Sequence, residues 1–227
     1  MRSTKPSPAG LSTFGNRSWF TACVALLFAM HAAGIIGLNW SFTRPLFSAL
    51  VPFNLLTTAA IVLFFHRGYS ISFIIFCVIT FLAGFLVEVA GVKTGVIFGS
   101  YAYGPVLGWK LWDTPLLIGC NWLTLIYCTG TITHNILKIN WLKPIVGAML
   151  MVLIDILIEP VAMHLNFWSW QDNAVPLRNY AGWFAVSLLL QILFQFLVRN
   201  KNNPVTTIVY LTQFVFFLAC NLFIWFR

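Results

Sequence analysis

The sequence predicts an all-α fold: a polytopic transmembrane helical bundle of about seven spans, with aromatic interfacial or re-entrant loops. Three observations predict it. The 227 residues are 60% hydrophobic, 17% aromatic and only 8% charged. Mean hydropathy is +0.88. Several apolar runs reach about 20 residues, the length needed to cross a bilayer as a helix. A soluble domain carries about 25% charged residues, so a soluble fold of this composition would lack the charge to cover its surface. Disorder is excluded by the apolar content. The length allows one bundle and no separate soluble domain.

Residues 1–18 read as a polar tail, with Pro6, Pro8, Gly10 and Gly15, and residues 19–227 as a single transmembrane domain. The first span runs from Trp19 to about Asn39. It is longer than a signal-peptide core and no clean small-x-small site follows, so it reads as uncleaved. The second runs from about Leu46 to Phe65 and ends at His66, Arg67 and Gly68. The third covers about Ile71 to Ala90. A Gly- and aromatic-rich stretch, Gly91 to Asp113, comes next. It is broken by Gly95, Gly99, Gly104 and Pro105, so its backbone polar groups would go unpaired in hydrocarbon. It therefore reads as interfacial or re-entrant. The fourth span covers about Thr114 to Thr133 and the fifth about Pro144 to His164. A second aromatic, polar stretch spans Asn166 to Arg178. The sixth span covers about Asn179 to Val198. The link Arg199 to Pro204 is a loop, and the seventh span runs from about Val205 to Phe226.

Thirteen Lys and Arg against five Asp and Glu give a formal net charge of +8. The basic residues sit singly at the ends of apolar runs, the pattern of topology signals and lipid headgroup contacts. With no basic cluster or recognition motif, nucleic acid is excluded as a partner. Arg2, Lys5, Arg17, Arg67, Lys138, Lys143, Arg199 and Lys201 fall on the N-terminal side, and Arg44, Lys93, Lys110, Arg178 and Arg227 on the other. The excess places the N-terminus in the cytoplasm of a multi-pass protein of the inner or plasma membrane. The five cysteines form no CxxC pair and read as small core residues. His31, His66, His134 and His164 lack the clustered spacing of membrane iron enzymes, so no metal is predicted. No Rossmann fingerprint or P-loop is present, so no nucleotide or flavin cofactor is indicated.

The five acids are Glu88, Asp113, Asp155, Glu159 and Asp172, and all map to one side of the membrane under this topology. An acid within a span costs about 2.5–3.5 kcal/mol even on lenient scales and marks function by default. Asp155 and Glu159, four residues apart, share a helix face about 6 Å apart. Two such carboxylates in low dielectric cannot both ionise cheaply, which sets a proton donor beside a base. Pro160 frees the Ile156 carbonyl one turn back. Asp113 and Asp172 read as solvated loop acids. A degenerate repeat is also visible. Glu88, an aromatic loop, Pro115 and Asn121-Trp122 match Glu159, an aromatic loop, Pro176 and Asn179-Tyr180, with the glutamates 71 apart. Both units start from the same side, so the repeat is parallel about the membrane normal. Trp109, Trp112, Trp122, Trp168, Trp170, Trp183, Tyr101, Tyr103 and Tyr180 crowd the acid side. They read as an interfacial belt, or as faces for a carbocation or a polyene.

Two ordered signatures carry a resemblance. The first is Glu88, Gly91, Thr94, Gly95, Phe98, Gly99, Tyr101 and Tyr103, continuing through Leu107-Gly108, Thr114-Pro115 and Asn121-Trp122. The second is Asp155, Glu159-Pro160, Trp168 and Trp170, Val175-Pro176, Asn179-Tyr180 and Gly182-Trp183. Together, over 88–122 and 155–183, they resemble the CruF-type carotenoid biosynthesis proteins. Gln171 to Ala174 stands where many relatives have a Tyr/Gly-rich stretch. The resemblance implies an integral-membrane carotenoid 1,2-hydratase. Such enzymes add water to the terminal double bond of an acyclic end group, as in γ-carotene or lycopene, without a cofactor. The expected partners are the carotenoid taken from the bilayer, water, membrane lipids and other enzymes of the pathway. Asp155 and Glu159 are expected as the acid–base pair, with Glu88 next for water activation. Asn121 and Asn179 would hold water. Trp122, Trp168 and Tyr101 would flank the cation, with Tyr103, Trp170 and Trp183 completing the substrate site. Two other readings stay open: a membrane carotenoid cyclase using the same protonation, and a proton-coupled transporter.

Overall fold

The computed structural model describes residues 13–226. Seven helices follow in order: α1 (Thr13–Asn39), α2 (Arg44–Phe64), α3 (Ile71–Thr94), α4 (Leu117–Ile136), α5 (Leu142–His164), α6 (Leu177–Leu197) and α7 (Thr206–Trp225). The protein is an all-α membrane bundle with little sheet. Helix α1 begins six residues before the expected span, so the polar residues from Thr13 belong to its first turns. The rest of the expected tail, with Arg2 and Lys5, lies outside the described residues, as does Arg227.

Local chemistry sets the boundaries. Ser70 caps α3 by accepting the Phe73 N–H at 3.2 Å. Gly95 ends the same helix in the left-handed region, at φ 63°, where a side chain would be strained. Asn203 sets the start of α7. Its Oδ1 accepts the Val205 N–H at 3.1 Å, and the Thr206 hydroxyl returns a bond to its carbonyl.

Six of the helices are long and apolar enough to cross a membrane: α1, α2, α3, α5, α6 and α7. The sequence reading gave α4 the same status as the others. It differs because it stands at the centre, packed against α2, α3, α5, α6 and α7. Thirteen of its twenty residues are buried. A helix wrapped in protein need not be lipid-compatible all round, so it tolerates Asn121, His134 and four threonines. Thr129 and Thr133 return their hydroxyls to carbonyls of the preceding turn. Large apolar residues such as Phe53, Ile71, Leu189 and Phe196 face outward. Trp19, Trp40, Trp141 and Trp225 are exposed near helix ends, as an interfacial belt requires.

Close helix approach depends on small residues. At Gly84 of α3, an added Cβ would fall 2.4 Å from the Cβ of Trp122 on α4. The indole therefore lies directly on the α3 backbone.

The two aromatic loops hold short strands that the sequence did not predict. Strand β1 (Tyr101–Tyr103) follows α3, and β4 (Trp168–Trp170) follows α5. They pair antiparallel, Tyr101 with Trp170, Ala102 with Ser169 and Tyr103 with Trp168. Gly104 N–H to the Phe167 carbonyl and Gln171 N–H to the Ser100 carbonyl extend the ribbon by a bond at each end. A hairpin of β2 (Lys110–Leu111) and β3 (Thr114–Pro115) follows β1. Its turn is Trp112-Asp113, both with positive φ, the conformation of a two-residue hairpin turn.

Candidate active site

All three acids expected within the spans are buried: Glu88 is 3% exposed, Asp155 0% and Glu159 2%. None has a cationic partner within ion-pair distance among the described residues, where the single ion pair joins Lys93 to Asp113 on the surface. That pair holds Asp113 below the ordinary carboxylate range. Arg178 donates to the Gly95 and Val96 carbonyls instead. The buried carboxyl groups therefore meet hydrogen-bond donors and no cation among the described residues.

Glu88 lies near the end of α3 and accepts three. The hydroxyls of Tyr101 and Tyr103 donate to Oε2 at 2.5 and 2.8 Å, and the Trp122 indole donates to Oε1 at 3.0 Å. Glu159, near the end of α5, also accepts three. The indoles of Trp168 and Trp170 donate to Oε2 at 2.9 and 2.8 Å, and the Asn179 amide donates to Oε1 at 3.2 Å. The same amide donates to Oδ2 of Asp155 at 2.7 Å. Both amide hydrogens of Asn179 thus go to carboxylates. Oδ1 of Asp155 is buried without a hydrogen-bond partner.

These bonds reproduce the expected repeat. In each unit a glutamate lies in the last two turns of a helix, and the following strand returns two aromatics, at i and i+2, to one carboxylate oxygen. The next helix supplies a donor to the other oxygen. The β1–β4 register is unchanged when the two units are exchanged. In the first unit the helix donor is Trp122, not Asn121 as the sequence alignment of the repeats had it. The position matching Asp155 at the offset of 71 is Gly84, over which Trp122 lies.

A pocket of about 20 Å³ sits between the units, lined by Glu88, Glu159, Asn121, Asn179, Trp183 and the four strand aromatics, with Ile118 and Ile158. That volume suits about one water. Asp155 is not in its wall; it stands one turn deeper, behind Asn179. Trp122 and Trp183 stack with centroids 4.4 Å apart, and Tyr101 lies 4.9 Å from Trp170. Burial pushes the Tyr101 and Tyr103 hydroxyls well above the ordinary tyrosine range, so both keep their protons. Trp109 and Trp112 are exposed and Tyr180 is outside the pocket wall. Among the described residues no three His, Cys, Asp or Glu are grouped to hold a metal.

A larger cavity of about 370 Å³ shares Ile118, Asn121, Ile158 and Trp168 with the small pocket. Its other walls come from α1, α2 and α7, including Phe47, Leu50, Phe53, Phe216 and Phe217. Sequence reasoning missed this half of the site. Its one signal was polar residues inside otherwise apolar spans: His31, Asn54 and Gln213 all line it.

The family model described as "Carotenoid biosynthesis protein" matches residues 49–226. The bisanhydrobacterioruberin hydratase of Haloarcula japonica is 28% identical over 123 residues, covering 48% of this chain and 40% of that protein. The chain therefore spans less than half the length of that relative. No solved structure matches. Residues 49–226 take in α3 to α7, both strands of the ribbon and all three buried acids, and on that match the chain belongs to the carotenoid biosynthesis protein family.

Proposed function

We propose that the protein is a cofactor-independent carotenoid 1,2-hydratase, acting on the acyclic end of a carotenoid drawn from the bilayer. One observation carries the reading. Buried carboxyl groups without counterions line a water-sized pocket that adjoins an apolar cavity. Membership of the family and the hydratase name of the Haloarcula relative support it.

The chemistry follows from the walls. The polyene is apolar along its length and suits the 370 Å³ cavity, whose walls come largely from apolar residues of α1, α2 and α7. Its end group would meet the small pocket at the shared residues. A carboxylic acid gives its proton to carbon 2, and the π pair becomes the new C–H bond. The tertiary cation left at carbon 1 faces aromatic rings, whose negative faces attract it. Water forms the C–O bond at carbon 1, and its spare proton passes to a carboxylate. The net change is the addition of one water. General acid–base steps of this kind contribute about 10²–10⁴-fold each.

The Lys/Arg distribution supports an orientation with the N-terminus in the cytoplasm and the acids toward the opposite face. Expression in a host that makes lycopene or γ-carotene, followed by pigment mass analysis, tests the reaction. The reading predicts a product heavier by one water. A product isomeric with the substrate would make the protein a cyclase, and unchanged pigment would remove the hydratase reading.

A further inference from the structure

We infer that the two pseudo-symmetric halves of the site have opposite proton roles: Glu88, with Tyr101 and Tyr103, donates to carbon 2, and Glu159, held by Trp168, Trp170 and Asn179, takes the proton from water. The inference rests on the hydratase reading and assigns its two steps to named groups.

The argument is one of donor and acceptor inventory. An indole N–H and an amide NH₂ can only donate. At Glu159 both lone pairs of Oε2 face indoles, and one of Oε1 faces Asn179. A proton on Oε2 would point at a donor and find no acceptor. One acceptor position remains, on Oε1, and Glu159 lines the pocket. A carboxylate fixed by three donors with one open lone pair is built to receive a single proton. Hydrogen bonds to the charged form favour that form.

Glu88 has the same scaffold with different chemistry. Its Oε2 faces two hydroxyls, and a hydroxyl both donates and accepts. A proton on Oε2 finds an acceptor in either tyrosine oxygen, each hydroxyl reorienting to match. The protonated acid is therefore accommodated here and excluded from Oε2 at Glu159. Both tyrosines line the pocket, so the proton has two hydroxyl routes to it besides the acid itself. The replacement of a Tyr-x-Tyr strand by a Trp-x-Trp strand turns a symmetric frame into a donor half and an acceptor half. Asp155, bonded to the Asn179 amide from behind, is a positioning residue for the acceptor half.

Over one turnover the Glu88 proton becomes the hydrogen on carbon 2. The water oxygen bonds to carbon 1 and its proton moves to Glu159. Exchange with water then restores both groups. Without the acceptor half, the cation can still return a proton to the Glu88 carboxylate.

The test uses the full chain in membranes, supplied with an acyclic carotenoid in heavy water. Glu88→Gln should abolish both the alcohol and deuterium uptake into recovered carotenoid. Glu159→Gln should cut the alcohol by at least ~10²-fold while deuterium still enters recovered carotenoid at carbon 2 and the terminal methyls. The paired variants Tyr101→Phe/Tyr103→Phe and Trp168→Phe/Trp170→Phe, read the same way, keep the test decisive if a glutamine variant fails to accumulate. The first pair should lower exchange and alcohol together, and the second should lower alcohol more than exchange. Exchange that survives Glu88→Gln but not Glu159→Gln, or equal loss of both signals in both variants, would overturn the assignment. A wild-type protein that exchanges deuterium without making alcohol would instead sink hydration and leave the division of roles standing.

Discussion

Asp155 and Asp172 are both acids on the same side of the bundle, and burial separates their fates. Asp172 is exposed, so Asp172→Asn should leave turnover within about twofold, as surface changes away from special features do. Asp155 is fully buried and accepts the Asn179 amide at 2.7 Å. A buried hydrogen bond is worth about 0.5–1.5 kcal/mol, so Asp155→Asn should lower turnover by up to about 10-fold. Assays normalised to membrane protein level would check both. That Glu88, Asp155 and Glu159 need partners was legible in the sequence, because a carboxylate in an apolar run must be compensated by something. The nature of the compensation was not legible. Trp168 and Trp170 read as interfacial aromatics, and only the return of β4 beneath α5 shows their N–H groups aimed at Glu159.

At the scale of elements, helix positions were legible to within a few residues, since hydropathy dictates them. Two features were hidden. The central place of α4 depends on which helices surround it, information no single run contains. The β2–β3 hairpin turns on Trp112-Asp113 in place of the usual glycine-bearing pair, so no turn signal marked it. The α3–α4 contact at Gly84 gives a direct test. In Gly84→Ala the new methyl would sit 2.4 Å from the Trp122 Cβ. Overpacking of this kind costs about 1–3 kcal/mol, and it would displace the indole that bonds Glu88. Thermal unfolding in detergent should show a lower midpoint, together with reduced turnover. A second element contact lies at the end away from the acids. The Tyr127 hydroxyl meets His66 Nδ1 at 2.6 Å and the Asn203 amide at 3.4 Å, while Asn203 also donates to the Val62 carbonyl. This ties α4, α2 and the α6–α7 link together. Tyr127→Phe should destabilise the bundle by about 1–3 kcal/mol, the cost of leaving a buried partner unpaired, with the reaction itself unchanged.

For the whole molecule, the acids gather at one end and the apolar cavity adjoins them through Ile118, Asn121, Ile158 and Trp168. On the proposed function, a carotenoid end would lie near the interface, where water arrives, with the chain running between helices toward lipid. The cavity was not legible because α1, α2, α4 and α7 each contribute a few ordinary apolar residues to it. The Lys/Arg excess gives an expected orientation. A reporter inserted in the Arg199–Pro204 link should report the cytoplasm, and one fused after Arg227 the opposite face. The reverse pattern would invert the orientation and leave the site intact. The central claim is the addition of water through a protonated carbon, and isotope labelling of the product tests it most directly. Solvent deuterium should appear at carbon 2, and oxygen from labelled water at carbon 1. A product oxygen derived from dioxygen would identify a hydroxylase and contradict the account.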